Sequence, residues 1–216
     1  MIDLHTHTYF SDGILGPSEL VYRAKCRGYT AIGLTDHGDF SNMELIITSI
    51  TKAASSLEKE YKIKVIPGIE ITYVPPRLIS KAVRSARKLG AEIVLVHGET
   101  PAEQVPPGTN KAALKGGIDI LAHPGFITKE EALLAKKNNV LLEITARKGH
   151  SRGNPHVASL AKASGADCAF NTDTHMPEDI IDIQGIKITL KNAKLSMNDF
   201  LTMQQNSDKL IKKIRG

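Results

Sequence analysis

The sequence predicts an α/β fold, one domain of parallel strands whose seven repeats favour a closed or nearly closed barrel over an open sheet, a choice that spacing alone does not decide, and three observations lead there. Seven short apolar or β-branched runs alternate with amphipathic helical patterns along the 216 residues, the rhythm of parallel strands joined by helical crossovers. No linker-like stretch or compositional shift divides the chain, and its length suits one large core. The runs also end in similar polar side chains, and parallel α/β folds gather functional residues at the carboxyl ends of their strands.

The elements follow in order. IDLH at 2–5 is the first strand and leads into HTHTYFSDG, where the i, i+2 spacing of His5 and His7 puts both imidazoles on one side. PSELVYRAKCRG reads as a helix, started by Pro17 and stopped by Gly28. TAIGLT at 30–35 is the second strand, ending in Asp36 and His37, and NMELIITSITKAASSLEKEYK is the helix after it. KVIPGIEI at 64–71 brings Glu70 to its end, and RLISKAVRSARKLG closes on Gly90. EIVLVH at 92–97 ends in His97; GETPAEQVPPGTN then has the turn residues of an irregular rim loop, with Glu99 nearest the strand end.

IDILAH at 118–123 ends in His123 and precedes the helix TKEEALLAKKNN. VLLEIT at 140–145 holds Glu143, an acid in an apolar run, which calls for pairing with a cation or an imidazole. NPHVASLAKASG closes on Gly165, and DCAFNTD at 167–173 ends in Asp173, two residues before His175. A basic amphipathic helix at about 198–214 finishes the chain, and its Lys209, Lys212, Lys213 and Arg215 read as a solvated face favoured by the helix dipole rather than a nucleic-acid surface.

Composition narrows the class. With 41% apolar and 24% charged residues and a net charge of +5, the chain is an ordinary globular one. No apolar run approaches the roughly 18–20 residues of a membrane span, and no signal-peptide pattern is visible, so a cytoplasmic protein without membrane contact is expected. Cys26 and Cys168, the 2 cysteines, form no CxxC pattern; they exclude a zinc ribbon and a disulfide framework, and are expected to be buried, reduced fillers.

A lone histidine after an apolar run is usually a packed core residue. Here six of the 8 histidines stand at the ends of five separate strands, with only His150 and His156 elsewhere, a distribution that points to metal. Imidazoles mixed with carboxylates suit zinc, manganese or iron rather than calcium or magnesium. So many donors exceed the roughly four to six that one ion takes, so at least two ions are implied, with Glu70 as the natural bridge. Asp12 sits in SDG, a turn signal with Gly13 at a left-handed position, and its closeness to the His pair makes ligation an equal alternative. Asp36 points to the opposite side from His37 and reads as a residue that orients an imidazole. In ITARKGHSRGNPH, the residues Arg147, Lys148, His150 and Arg152 form a basic rim cluster suited to clamping phosphate, Arg147 foremost.

HTHTYFSDG, LTDHG, PGIEI, VHGE, LAHPG and NTDTH, in that order between residues 3 and 175, resemble the polymerase and histidinol phosphatase (PHP) family of metal-dependent phosphoesterases. The basic loop is more loosely similar to the histidinol-phosphate-phosphatase-like members. The resemblance implies a distorted seven-stranded, TIM-like (β/α) barrel with a trinuclear site. It implies that His5, His7, Glu70 and Asp173 hold a first ion, Glu70, His97 and His123 a second, and Asp12, His37 and His175 a third, Asp12 standing where some members have histidine. Glu70, Asp173, His175 and Arg147 are then the expected catalytic set, serving attack by water activated on two to three divalent ions. No GxSxG nucleophile motif competes with that chemistry.

The substrate expected is a small phosphomonoester, histidinol phosphate or another amine- or nucleotide-bearing phosphate. A nuclease or nucleoside-bisphosphate phosphatase is the alternative, disfavoured because no extra domain or aromatic platform is evident, with aromatics at 5% and no Trp. A non-catalytic RNA-binding barrel, as in the RNase P protein that shares this fold, is the alternative of another class, and the full donor set argues against it. The sequence carries no signal of oligomeric state.

Overall fold

A computed structural model describes residues 1–216. Its strands are β1 (Ile2–Asp3), β2 (Ala31–Leu34), β3 (His37–Gly38), β4 (Lys64–Ile71), β5 (Ile93–His97), β6 (Ile120–Ala122), β7 (Leu141–Thr145) and β8 (Cys168–Asn171). They form one parallel sheet in the order β1-β2-β4-β5-β6-β7-β8, with β3 also on β4. β2 lies within the strand expected at 30–35, and β3 continues its line beyond Thr35 and Asp36: His37 faces Glu70 in the same register in which Leu34 faces Pro67. The sheet curls until its two ends meet, through a bridge between Thr6 and Thr174 and the bonds His7 N–H to Thr174 O, 2.8 Å, and Asp173 N–H to His5 O, 3.0 Å. The architecture is thus the nearly closed barrel of seven parallel strands expected from the sequence.

Strand alternation builds the core. Ile66, Ile93, Leu95, Ile120, Ala122, Leu141 and Ala169 turn into the barrel with Leu4 and Ala31, all of them buried. Val94, Val96, Leu121, Leu142, Ile144 and Phe170 turn outward against the helices. Each fully buried aliphatic side chain contributes about 1.5–3 kcal/mol.

Eight helices surround the sheet: α1 (Pro17–Cys26), α2 (Met43–Tyr61), α3 (Ile79–Lys88), α4 (Thr109–Lys115), α5 (Lys129–Asn138), α6 (Asn154–Ser164), α7 (Ile183–Asn192) and α8 (Met197–Arg215). α1, α3 and α6 run into Gly28, Gly90 and Gly165, each with positive φ. α4 and α7 were not anticipated from sequence. α4 is one short stretch behind two prolines, and the β-branched residues of IQGIKITLKN argue against a helix locally; Asp182 caps it instead, accepting from Gln184 N at 2.9 Å and Gly185 N at 3.1 Å.

α8 does more than present a basic face. Leu210 and Ile211 belong to the cluster inside the barrel, and Gln204 bonds the N–H and C=O of Ile2 at 2.6 and 3.0 Å, serving as a partner for the short β1. Arg215 reaches Glu92 at 2.6 Å, Glu58 at 2.8 Å and Val65 O at 2.7 Å. That corrects the reading of Arg215 as a solvated cation: the acids it meets come from α2 and the start of β5, distant in sequence. Cys26 and Cys168 are both unpaired, but Cys26 is exposed and Cys168 half-buried, so neither is the buried filler expected. No helix is long and apolar enough to cross a membrane.

Candidate metal centre

The strands' carboxyl ends carry a second, polar core above the apolar one. Alternation continues the inward rows, so Glu70 follows Ile66, His97 follows Leu95, Glu143 follows Leu141 and Asn171 follows Ala169. His123 breaks the row: it comes one residue after inward Ala122, and its positive φ of 26° turns the ring back in. Asp173 also takes a positive φ, 55°. Such left-handed backbone is costly for residues other than glycine and persists where the surroundings hold it. Here the His123 N–H donates to Glu143 Oε2 at 2.8 Å and the Asp173 N–H to His5 O at 3.0 Å.

Glu70, fully buried, is the hub. Its Oε2 lies 2.8 Å from His37 Nδ1, 3.2 Å from His5 Nε2 and 3.6 Å from His7 Nε2, while Oε1 lies 3.4 Å from His123 Nε2. Asp173 Oδ1 is 3.1 Å from His7 Nε2 and 3.7 Å from His5 Nε2. Asp12 Oδ2 is 3.1 Å from His175 Nε2, and Asp12 Oδ1 is 3.7 Å from His37 Nε2. The structure therefore brings His5, His7, Asp12, His37, Glu70, His97, His123, Asp173 and His175 into one cluster.

Several rings are oriented by bonds on their far nitrogen. His5 Nδ1 meets Glu143 Oε1 at 2.8 Å, His97 Nδ1 meets Gly98 O at 3.1 Å, and His175 Nδ1 meets Asp173 O at 2.9 Å. Metal-binding imidazoles are held this way, the other ring nitrogen being left for the ion. Glu143 itself is buried, and Asn171 Nδ2 donates to its Oε1 at 2.8 Å.

The donors fit divalent ions on the structure's own terms. His7 Nδ1, His123 Nδ1, both carboxylate oxygens of Glu70 and Asp173 Oδ1 are buried without a hydrogen-bond partner, and orphaned buried polar atoms are rare in folded proteins. His5 Nε2 and His7 Nε2 stand 3.0 Å apart. Burial and the neighbouring His37 and His5 push His7 well below its usual pKa. Burial alone would also lower His5, but the Glu143, Glu70 and Asp173 carboxylates outweigh it and hold His5 well above its usual value. Burial opposes the charge on Glu70, yet His5 and His37 keep it well below the carboxylate range. Carboxylates and imidazoles converging on shared space, several of their atoms unpartnered, are what a cation satisfies. The sets His7, Asp12, His37 and His175; His5, His7 and Glu70; His5, His123 and Asp173; and His97, His123 and His150 each keep one donor atom apiece within 4.8 Å of one another.

Residues 3–166 match the family model described as "PHP domain". The chain belongs to the PHP domain family. An uncharacterized protein of Methanocaldococcus jannaschii is 50% identical over 182 residues, covering 83% of this chain and 84% of that one. The PHP chain is also similar in fold to a chain of archaeal ribonuclease P solved with mature tRNA, with a TM-score of 0.74, 17% identity and coverage of 98% and 90%. Histidinol phosphate phosphatase from Lactococcus lactis, solved with zinc, L-histidinol and phosphate, gives a TM-score of 0.62 at 17% identity, covering 90% of this chain and 94% of that one. At these identities the two structures speak for the fold. With the PHP family shown and its donors assembled, the chain is a metal-dependent hydrolase of phosphoric ester bonds.

Some residues of the PHP barrel serve otherwise than the sequence suggested. Asp36 orients no imidazole; it accepts from Thr8 N at 2.7 Å, Thr8 Oγ1 at 2.8 Å and Ser11 Oγ at 2.8 Å, so it braces the loop that carries Asp12. Gly13 in that loop has no positive φ; it is needed because a Cβ would run into the backbone carbonyl of His7. Arg147 is not a free clamp. Its guanidinium pairs with Asp179 Oδ2 at 2.8 Å, and the same oxygen takes the N–H of His175 at 2.9 Å and of Met176 at 3.1 Å. Lys148 and Arg152 are exposed.

Glu99 exchanges two 2.9 Å bonds with Asn110 at the start of α4, and Glu103 faces the site in its place, 3.5 Å from His97 Nε2 and 2.8 Å from the Tyr73 hydroxyl. The His97 hydrogen bond, against some burial, draws Glu103 down to about 2. His150, expected among the clamp cations, is neutral: burial and the neighbouring His123 push it down to about 3. An aromatic rim also exists. Tyr9, Phe40, Tyr73 and Phe126 follow β1, β3, β4 and β6 and are 61%, 45%, 56% and 65% exposed. A 5% aromatic content hid it because composition does not tell where loops place their rings.

Proposed function

We propose that this PHP protein hydrolyses a small phosphomonoester bearing an amine, of the histidinol phosphate kind, using two to three ions of zinc, manganese or iron. In this reading His5, His7, Glu70 and Asp173 hold the first ion, Glu70, His97 and His123 the second, and Asp12, His37 and His175 the third. Bound ions would lower the pKa of water toward neutrality and neutralise phosphoryl charge.

The protein's own part is orientation and selection. Glu143 fixes the His5 ring, Asp36 fixes the Asp12 loop, and Arg147 steadies His175 through Asp179. The observation that carries the substrate reading is a cavity of about 360 Å³ beside the cluster, lined by Asp12, His37, Asp39, Tyr73 and Glu103 among others, with no Lys or Arg in its wall. An acid wall with an exposed aromatic face suits an ammonium group and disfavours a polyanion. Glu103, ionised at neutral pH, is the acid best placed to meet the amine.

Turnover of paired phosphomonoesters, alike except for an amine replaced by a hydroxyl, tests this. At least tenfold higher kcat/KM for the amine is expected, and Glu103→Gln should erase most of the preference by raising KM. Equal turnover of the pair, or faster cleavage of short oligonucleotides, would overturn it. The aromatic rim favours a second reading, a nucleotide-bearing substrate whose base stacks on Tyr73 or Phe126. The oligonucleotide arm of the same screen reports on it.

A further inference from the structure

Two histidines lie away from the strand ends, and the structure treats them oppositely. His156 turns Nε2 to Ile127 O at 2.7 Å and packs on Phe126. His150 turns into the cluster: its ring stacks on His123 with centroids 4.3 Å apart and meets His97 edge-on at 5.8 Å. We infer that His150 is a metal ligand, completing with His97 and His123 a three-imidazole face on the second ion. The inference rests on the metal centre proposed above and not on the choice of substrate.

Three observations carry it. One donor nitrogen each from His97, His123 and His150 lies within 4.8 Å of the others, close enough for one ion to span them. His150 also shares the orientation of the strand-end rings. Its Nδ1 is 2.9 Å from Thr100 Oγ1, as His5, His97 and His175 place Nδ1 on a protein oxygen, which leaves Nε2 for an ion. Thr100 is buried, and its N–H donates to Gly98 O at 2.8 Å, so the hydroxyl that orients His150 belongs to the turn that also orients His97.

The loop is built to deliver the ring. Gly149, with φ of 94°, makes the bend, Ser151 N–H donates to Arg147 O at 3.0 Å, and Gly153 packs on the backbone of Gly125. A phosphate clamp would have its cation free at the rim, whereas this ring is stacked on a neighbouring imidazole. Three imidazoles on one ion also bias that position toward zinc over manganese.

The experiment uses the full chain stripped by chelator and reloaded with zinc. Metal per chain is counted by mass spectrometry, and affinity is read by competition with a chromophoric chelator for the wild type, H150A, H156A and T100V. H150A is expected to lose one ion or weaken one class at least tenfold, T100V to weaken the same class several-fold, and H156A to match the wild type. Unfolding of the stripped proteins separates misfolding from lost ligation, because a ligand variant keeps the stripped protein's transition and loses part of the rise on adding zinc. Zinc affinity in H150A within twofold of the wild type would overturn the assignment, as would weakened phosphate binding with metal content intact. A wild type that binds no zinc would remove the metal centre itself. Absence of the amine preference alone would touch only the substrate reading.

Discussion

Glu143→Gln exchanges one oxygen for an amide nitrogen in a fully buried carboxylate that serves three donors. Oε1 accepts from His5 Nδ1–H and Asn171 Nδ2–H, and Oε2 from the His123 N–H, all at 2.8 Å. A glutamine has one carbonyl oxygen. Placed at the Oε1 position it leaves its NH2 facing the His123 N–H; placed at Oε2 it leaves two donors facing the NH2. Either way at least one buried donor loses its acceptor, a cost of about 1–3 kcal/mol. His5 also loses the carboxylate that holds its proton on Nδ1 and its lone pair on Nε2. Outer partners of this kind are worth roughly 10–100-fold in metal affinity, about 1.4–2.8 kcal/mol at about 1.4 kcal/mol per tenfold. Competition titration of chelator-stripped protein with zinc should show that loss, and unfolding of the stripped variant should come roughly 5 °C lower. Zinc affinity within twofold of the wild type would refute the claim that Glu143 sets the His5 tautomer.

Other perturbations separate the site from its scaffold. Ile211→Ala, among the α8 side chains that join the apolar cluster inside the barrel, should cost about 2–5 kcal/mol in a denaturant titration and leave metal affinity unchanged. Arg147→Ala breaks a partly exposed pair, so stability should fall by no more than about 1 kcal/mol. Because Asp179 also holds the His175 N–H, metal content at the Asp12, His37 and His175 corner should fall as well, read by mass spectrometry. Burial tends to raise Glu58, but Arg215 and the Val65 N–H bond hold it below its ordinary value of 4.5. A lowered folded-state value means stability that is present above pH 4.5 and lost as pH falls through the lowered value. The difference in unfolding free energy between wild type and Arg215→Ala, at most about 1 kcal/mol for so exposed a cluster, should therefore shrink on acidification.

The barrel was legible because each strand is a short β-branched or apolar run whose partner follows one helix later, and the donors because they recur at strand ends. Contacts between distant loops left no such period. Glu103 and Tyr73 meet across the rim, Asp179 captures Arg147 from another strand's loop, and the Thr100 bond that turns His150 spans fifty positions of sequence. Asp36 misled for a related reason: its side away from His37 was foreseeable, but that Thr8 and Ser11 wait there depends on how the first loop folds back. His123 reached the site only through a backbone conformation that alternation forbids.

Glu70 lies at the centre of the account, within 3.6 Å of His5, His7, His37 and His123. The most direct test is metal content and phosphomonoesterase activity of the wild type and Glu70→Gln, each stripped and reconstituted with manganese, iron and zinc. More than one ion per wild-type chain is expected, at least one fewer in Glu70→Gln, and loss of metal-dependent activity in the variant. Wild-type metal content that stayed near zero, or an unchanged rate in Glu70→Gln, would contradict it.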